Sequence, residues 1–367
     1  MSRILFGLVL ALILIGISYL SAKAYAAGFR LSGTKSSIVF LSFLAAALLF
    51  VLGMALSRSA GSALSSTLYS ATQILAGFAF YFFIGAIALL ISLLAYRILA
   101  APFPLALAWT ITIASFLLGT IGLVQARYIQ TTPYTITLAG APSSWNGKVA
   151  ALVSDTHFGL INQGGFSDKV VQNILSLNPD LVLHAGDFYD GPRIDTIPIS
   201  ASWKQLADRV PVFYAPGNHE QYGDYGGFIA SVQDAGVTVL EDTHTLYDGV
   251  AIVGFMYRGA DGKNAIAPLI EKMGIEITTP SIAINHAPVF HDAFAESGID
   301  LLVSGHTHRG QFWPLNFLIR RIYGKYYYGA SSFGGMQTIT TSGVGTFGPP
   351  FRLFNTPEIV LLRFVTK

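Results

Sequence analysis

The chain has 367 residues, 52% of them hydrophobic and only 11% charged, with a formal net charge of +2 and no cysteine. About a quarter of an ordinary soluble domain is charged, so this composition places part of the chain in lipid. The small net charge leaves no electrostatic footprint for nucleic acid, and the lack of cysteine excludes disulfides, thiolate metal sites and cysteine nucleophiles. Four apolar stretches come first, at residues 4–20, 37–56, 68–94 and 104–124. Each is near the ~20 residues a helix needs to cross a bilayer, and none contains Asp, Glu, Lys, Arg or His. Four spanning helices are expected within residues 1–128, because a buried soluble bundle would show amphipathic faces. Spans without ionisable groups give no ion or proton pathway, and Gly77, Ala79, Gly85 and Ala86 suit close helix packing instead. Arg3, an apolar run and Ala22-Lys23-Ala24 also resemble a signal peptide. The length of the run and the three spans after it favour an uncleaved helix.

The connections carry the charge: Lys23, Arg30 and Lys35 in the first, Arg58 in the second, Arg97 in the third. With four helices, the N-terminus and everything after Arg127 share a side. Lys23, Arg30, Lys35 and Arg97 then face Arg3, Arg58 and Arg127 across the bilayer. That excess of one positive charge puts the C-terminal domain of this multi-pass cell-membrane protein on the extracytoplasmic face.

From about Thr131 the composition becomes mixed, with turn residues. Residues 129–147 read as a linker and first strand (134–138), and residues 148–367 as a catalytic domain. Short apolar runs follow at 149–154, 181–185, 212–215, 281–285 and 301–304, separated by helical or loop segments. Between the first two, Val170, Val171, Ile174 and Leu175 sit at helical spacing. Continuous apolar strands alternating with helices predict an α/β domain whose sheet is covered on both faces.

Each run delivers polar residues at its carboxyl end, where open α/β sheets bind ligands. The first ends in Asp155-Thr156-His157, the second in Gly186-Asp187, and the third in Gly217-Asn218-His219-Glu220. The fourth ends in His286 and the fifth in Gly305-His306-Thr307-His308. Gly305 allows the sharp turn that lets the last two imidazoles converge. Asp155, His157, Asp187, Asn218, His286, His306 and His308 form a nitrogen and oxygen set that suits Mn, Fe or Zn. Seven ligands exceed the need of one ion, and two divalent metal ions sharing a carboxylate use them naturally. Two ions ~3.5–4 Å apart stabilise both the attacking and the leaving oxygen of a phosphoryl transfer.

The ordered set DTH, GD, GNHE, NH and GHTH resembles the calcineurin-like metallophosphoesterase family. Gly343-Val344-Gly345-Thr346 and Pro357-Glu358 resemble its bacterial membrane-associated branch. The resemblance covers about 149–364 and implies a four-layer αββα sandwich. It implies that Asp155, His157, Asp187 and His308 bind one metal, and Asp187, Asn218, His286 and His306 the other. It also implies that His219 is the histidine outside the metal shell that stabilises charge and protonates the leaving oxygen, oriented by Glu220. Related chains often carry Arg before the Gly-x-Gly-Thr segment, where this one has Ser342.

The expected protein is a membrane-anchored dinuclear phosphoesterase acting on phosphoester or diphosphate bonds. Its partners are the lipid bilayer and a phosphorylated small molecule or lipid. Four spans exceed what an anchor requires, which favours a lipid-linked or cell-envelope substrate. The alternatives are a phosphodiesterase or phosphatase for a soluble nucleotide or phosphoprotein, and a membrane sensor using the metal domain to bind a ligand. His184 reads as core, while His244 and His291 read as solvated. Asp190 and Arg193 either line the mouth of the site or belong to an exposed loop. Residues 312–328 mix aromatics with Arg320, Arg321 and Lys325 and no acid. They read either as a segment entering the headgroup region or as a hairpin packed on the domain.

Overall fold

The computed structural model describes residues 3–56, 63–191, 194–259 and 262–366; Arg58 and Arg193 lie outside them. The chain divides into two compact units, one of residues 1–124 with 348–353, the other of residues 125–347 with 354–367.

The first unit is built from helices α1 (Arg3–Gly28), α2 (Gly33–Leu56), α3 (Ala63–Ile98) and α4 (Leu105–Gln125). All four are long and apolar enough to cross a membrane. The first three outrun the apolar stretches, so Lys23 lies in the last turns of α1, Lys35 in the first turn of α2 and Arg97 in the last turn of α3. Long basic side chains on helix ends can keep their apolar stems on the helix and their charge in water. Small residues bring the helices together: a Cβ on Gly85 would strike Ser115, and one on Gly53 would strike Thr72. Ala86 is buried with Ala24, Tyr25, Leu89 and Ala108 in the helical core, whereas Ala79 lines an apolar cavity of about 570 Å³ between the helices. Gly348–Leu353 belongs to this unit. The Phe351 ring lies 5.4 Å from Phe78 and 6.1 Å from Tyr81, in space that a Cβ on Gly77 would fill.

The second unit runs β1 (Gln130–Leu138), β2 (Val149–Val153), α5 (Gly164–Ser176), β3 (Leu181–His184), α6 (Ile197–Ala207), β4 (Val212–Tyr214). Next come α7 (Tyr225–Asp234), β5 (Thr238–Val239), β6 (Thr243–Tyr247), β7 (Val250–Gly254), α8 (Lys263–Met273), β8 (Ser281–Ile284). It closes with α9 (His291–Glu296), β9 (Leu301–Ser304), α10 (Asn316–Tyr323), β10 (Gly329–Phe333), β11 (Met336–Thr340) and β12 (Glu358–Thr366). Two six-stranded sheets result, ordered β1-β12-β2-β3-β4-β5 and β10-β11-β9-β8-β7-β6. Within the first, β2, β3, β4 and β5 are parallel, while β12 runs antiparallel to β2.

Side-chain alternation explains the layers, because successive residues of a strand face opposite sides. Ala150, Leu152, Leu181 and Leu183 meet Ile252, Ile282, Ile284 and Val303 of the other sheet in one core. Their neighbours Ala151, Val153 and Val182 turn outward onto Val170, Val171 and Ile174 of α5 and Trp203 of α6. On the far side Ala251, Val253, Ala283 and Leu302 pack on Ile266, Ile270 and Phe294 of α8 and α9. Helices, sheet, sheet, helices make the four-layer αββα sandwich. Residues 130–138 are a full strand of this unit, pairing in parallel with β12 over nine positions. Pro133 is tolerated there because β1 is an edge strand.

Candidate metal centre

The polar residues gather where β2, β3, β4, β8 and β9 end. Asp155, His157, Asp187, His306 and His308 all have positive φ, from 46° to 69°. Non-glycine residues in that region cost on the order of 1–3 kcal/mol each, and they concentrate at functional sites. Gly186 and Gly305 give the room: a Cβ on Gly186 would strike His286, and one on Gly305 would strike Ser154 and Asp155.

Three groups of ligand atoms lie within 4.8 Å of one another: Asp155, His157, His308; His157, Asp187, His219; and Asp187, His286, His306. The Nε2 atoms of His157 and His308 are 3.0 Å apart, and His308 Nε2 is 3.2 Å from Asp155 Oδ1. Asp187 Oδ2 lies 3.0 Å from His286 Nε2 and 3.7 Å from His157 Nε2. His306 Nδ1 is 3.1 Å from His286 Nε2. Second contacts fix these side chains. His286 Nδ1 donates to Ala185 O at 2.7 Å, leaving Nε2 to the centre, and the His219 amide donates to Asp187 Oδ1 at 2.9 Å. The His306 amide donates to both Asp155 oxygens. Asn218 is buried and donates through Nδ2 to Tyr222, while its Oδ1 has no hydrogen-bond partner among the described residues.

These residues fit divalent metal. Burial holds His157 down to about 3 and His306 down to about 4, so both imidazoles are neutral and offer a lone pair. Burial also acts to lower His286, but the Asp187 carboxylate outweighs it and lifts the imidazole to about 9. Its Nε2 thus faces the negative charge of Asp187 and Asp155, a place that favours a cation. An oxygen without a partner in Asn218 completes a nitrogen and oxygen donor set.

The structure corrects the setting of His219. Among the described residues no hydrogen bond joins Glu220 to the His219 ring. The Glu220 carboxylate is fully buried and accepts the amides of Tyr189 at 3.0 Å and Gly217 at 2.7 Å, pinning the loops that carry Asp187 and Asn218. The partner of His219 is Asp190, whose Oδ1 lies 2.9 Å from Nδ1. Burial works against charge on His219, yet Asp190, with Asp187 behind it, raises its pKa overall. Asp190 stands three residues after Asp187, and that short step is the one signal the sequence carries for it. Aromatic rings flank the site without any motif to announce them. Phe347 lies 5.5 Å from the ring of His219 and 6.2 Å from that of His157, and Tyr257 lies 5.7 Å from that of His306.

The Gly343-Val344-Gly345 segment clasps the Asp155 loop, with the amides of Val344 and Gly345 donating to Ser154 O and Asp155 O. Glu358 holds the base of that segment, accepting from Thr341 and the Ser342 amide through one oxygen and from Thr132 and Tyr328 through the other. The Ser342 hydroxyl donates to Thr356 O at 3.0 Å, so it serves the loop. His184 is core, fully buried beside Thr156, and His244 is partly buried in β6. His291 is not solvated: it is buried and stacked on Tyr326 with ring centroids 3.7 Å apart. The 312–328 segment is α10 and a following turn, not a hairpin.

The calcineurin-like phosphoesterase family model matches residues 149–310. An uncharacterized metallophosphoesterase of Helicobacter pylori is 29% identical over 220 residues, covering 59% of this chain and 59% of that protein. The chain therefore spans less than two thirds of that relative. A transmembrane protein with metallophosphoesterase domain from Danio rerio is 27% identical over 59% of this chain and 53% of its own length. An uncharacterized metallophosphoesterase of Bacillus subtilis is 27% identical over 65% of this chain and 86% of its own. Four apolar helices precede the matched region, and at its heart lies a cluster of aspartates and histidines suited to metal. Residues 149–310 thus carry a calcineurin-like phosphoesterase domain.

Proposed function

We propose that the protein is a membrane-anchored, dinuclear metal-dependent hydrolase of phosphoester or diphosphate bonds in a lipid-linked or cell-envelope substrate. The observation that carries this reading is the position of Asp187 Oδ2, 3.0 Å from His286 Nε2 and 3.7 Å from His157 Nε2. One carboxylate oxygen between two sets of imidazoles suits a bridge. Asp155, His157 and His308 would hold the first of two divalent ions (Mn, Fe or Zn) together with Asp187. Asn218, His286 and His306 would hold the second with the same carboxylate. When bound, such a pair supplies positive charge against the phosphoryl oxygens and lowers the pKa of a water. The chain's own residues do the rest. Asp190 orients His219 through Nδ1, and the opposite edge of that ring delivers a proton to the departing oxygen. Phe347 and Tyr257 flank the site with their rings. The excess of positive charge on the α1–α2 and α3–α4 ends supports an extracytoplasmic catalytic domain.

The test is direct. Full-length protein purified in detergent with Mn²⁺ hydrolyses bis-(p-nitrophenyl) phosphate or its monoester, and EDTA abolishes the signal. Inactivity toward both esters with Mn, Fe and Zn, in protein shown to hold metal, overturns the enzyme reading in favour of a ligand-binding role. Because the chain lacks cysteine, a single cysteine placed on the catalytic domain reports its side of the membrane through an impermeant maleimide in intact cells.

A further inference from the structure

The helix α10 reaches the metal centre through Tyr323 on one side and is exposed on the other among the described residues. Leu315, Leu318 and Ile322 recur at i, i+3 and i+7, which places them on one stripe. A helix on the surface of a soluble domain turns such a stripe inward. Here the stripe faces out: Leu315, Leu318 and Ile322 are 40%, 55% and 61% exposed, with Phe317 beside them at 63%. The inner face is held by Ile319 and Tyr323, both partly buried, and no residue of the helix is fully buried. Tyr323 reaches the site itself, its ring 6.1 Å from that of the candidate ligand His306.

Charge decides what covers this face. Arg320 and Arg321 flank Phe317 one turn on, and Lys325 follows in the next turn. No Asp or Glu occurs between Asp300 and Glu358. A second copy of the same face would bring cations onto cations, which disfavours self-pairing. An anionic lipid surface complements both the apolar stripe and its basic border. Such a surface is always at hand, since four candidate spans lie in the same chain and four residues separate α4 from β1. Tethering of this kind keeps an otherwise weak contact engaged.

We propose that α10 is an interfacial helix: its Leu315, Leu318, Ile322 stripe enters the headgroup layer of an anionic bilayer, and its Tyr323 side opens onto the metal centre. Resting on the phosphoesterase reading above, this makes the substrate an amphiphilic phosphate that enters the site from the lipid surface without leaving the membrane. Amphiphiles drawn from the bilayer pass between Arg320, Arg321 and Lys325, which attract the phosphate.

The absence of native cysteine makes the test clean. Full-length protein carrying Leu318→Cys, Ile322→Cys or, as a control on exposed Asp208, Asp208→Cys is labelled with an environment-sensitive fluorophore. It is then placed in nanodiscs of phosphatidylcholine and phosphatidylglycerol. Lipids bearing a nitroxide near the headgroup quench the labels at 318 and 322 and leave the control bright, while aqueous iodide does the reverse. Arg320→Glu/Arg321→Glu weakens the lipid quenching. Leu318→Asn/Ile322→Asn lowers kcat/KM for dioleoyl phosphatidate in the disc about tenfold and leaves a soluble p-nitrophenyl ester unchanged, as expected when two apolar side chains lose their lipid contact. Labels at 318 and 322 that respond only to iodide, or to neither quencher as in a protein contact, overturn the proposal. Equal losses on both substrates do the same. Lipid quenching in a chain that hydrolyses no phosphoester would instead sink the phosphoesterase reading and leave α10 at the membrane.

Discussion

Asp190 Oδ1 lies 2.9 Å from Nδ1 of His219, and this pair, not His219 with its sequence neighbour Glu220, sets the ring over the metal centre. Removing the carboxylate should therefore act on proton delivery alone. Asp190→Asn is expected to lower turnover of an alkyl phosphoester by about 10²-fold, within the range that a general acid contributes. Loss on a p-nitrophenyl ester should be smaller, because that leaving group needs no proton, and metal content by elemental analysis should be unchanged. Equal losses on the two esters, or loss of metal, would contradict the assignment.

Glu220 should behave as a structural residue. Its two backbone donors, Tyr189 N and Gly217 N, are buried with it, and each unsatisfied donor costs about 1–3 kcal/mol. Glu220→Ala should lower the Tm markedly, and Glu220→Gln, which keeps an acceptor oxygen, should lower it less. Both variants should keep the leaving-group dependence of the parent. A thermally unaffected Glu220→Ala protein would refute this account.

Asp187→Asn removes charge from the one oxygen near both imidazole sets. Metal stoichiometry should fall below two per chain and activity by at least about 10³-fold, since positioning and charge stabilisation are lost together. Two ions per chain with normal turnover would end the dinuclear assignment.

His291 titrates in a window that can be measured. Burial depresses its pKa to about 4, Asp292 opposing and Lys325 assisting, against an ordinary value of 6.5. Between those values the unfolded chain binds a proton that the folded one excludes, so stability falls as pH drops from 6.5 toward 4. His291→Phe keeps the ring on Tyr326 and removes that proton. Its stability should fall less steeply with acid, by at most about 1.4 kcal/mol per pH unit in that window. Denaturation curves of identical pH slope for the two proteins would show the histidine to be silent.

How much of this was legible in the sequence follows from the range of the interactions. The runs that became β2, β3, β8 and β9 are local patterns, and their boundaries agree with the structure within a residue. The polar residues after them converge because parallel strands carry their carboxyl ends to one edge. What could not be read depends on backbone turns. His219 chooses Asp190 over Glu220 because the loops fold each carboxylate onto a different donor, a matter of φ and ψ that residue order does not encode. Pairing of β1 with β12 joins segments more than 200 residues apart with no periodicity in common, so the sequence reads only 134–138 as strand and leaves 130–133 to the linker. The stripe on α10 was visible as composition, but that it faces outward is a property of the folded surface.

The placement of Gly348–Leu353 among the helices has a consequence for anyone who would take this protein apart. No single peptide bond divides it into its two units. A recombinant fragment begun after Val124 would retain Phe351 and lose Phe78 and Tyr81, the rings that surround it, and lose the Gly122 carbonyl that accepts the Arg352 amide at 2.9 Å. Such a fragment would carry an orphaned aromatic loop and tend to aggregate unless Phe351 and Leu353 were made polar. Grafting the catalytic domain onto another anchor, in the laboratory or by gene fusion in evolution, meets the same obstacle: two separate stretches of chain must move as one.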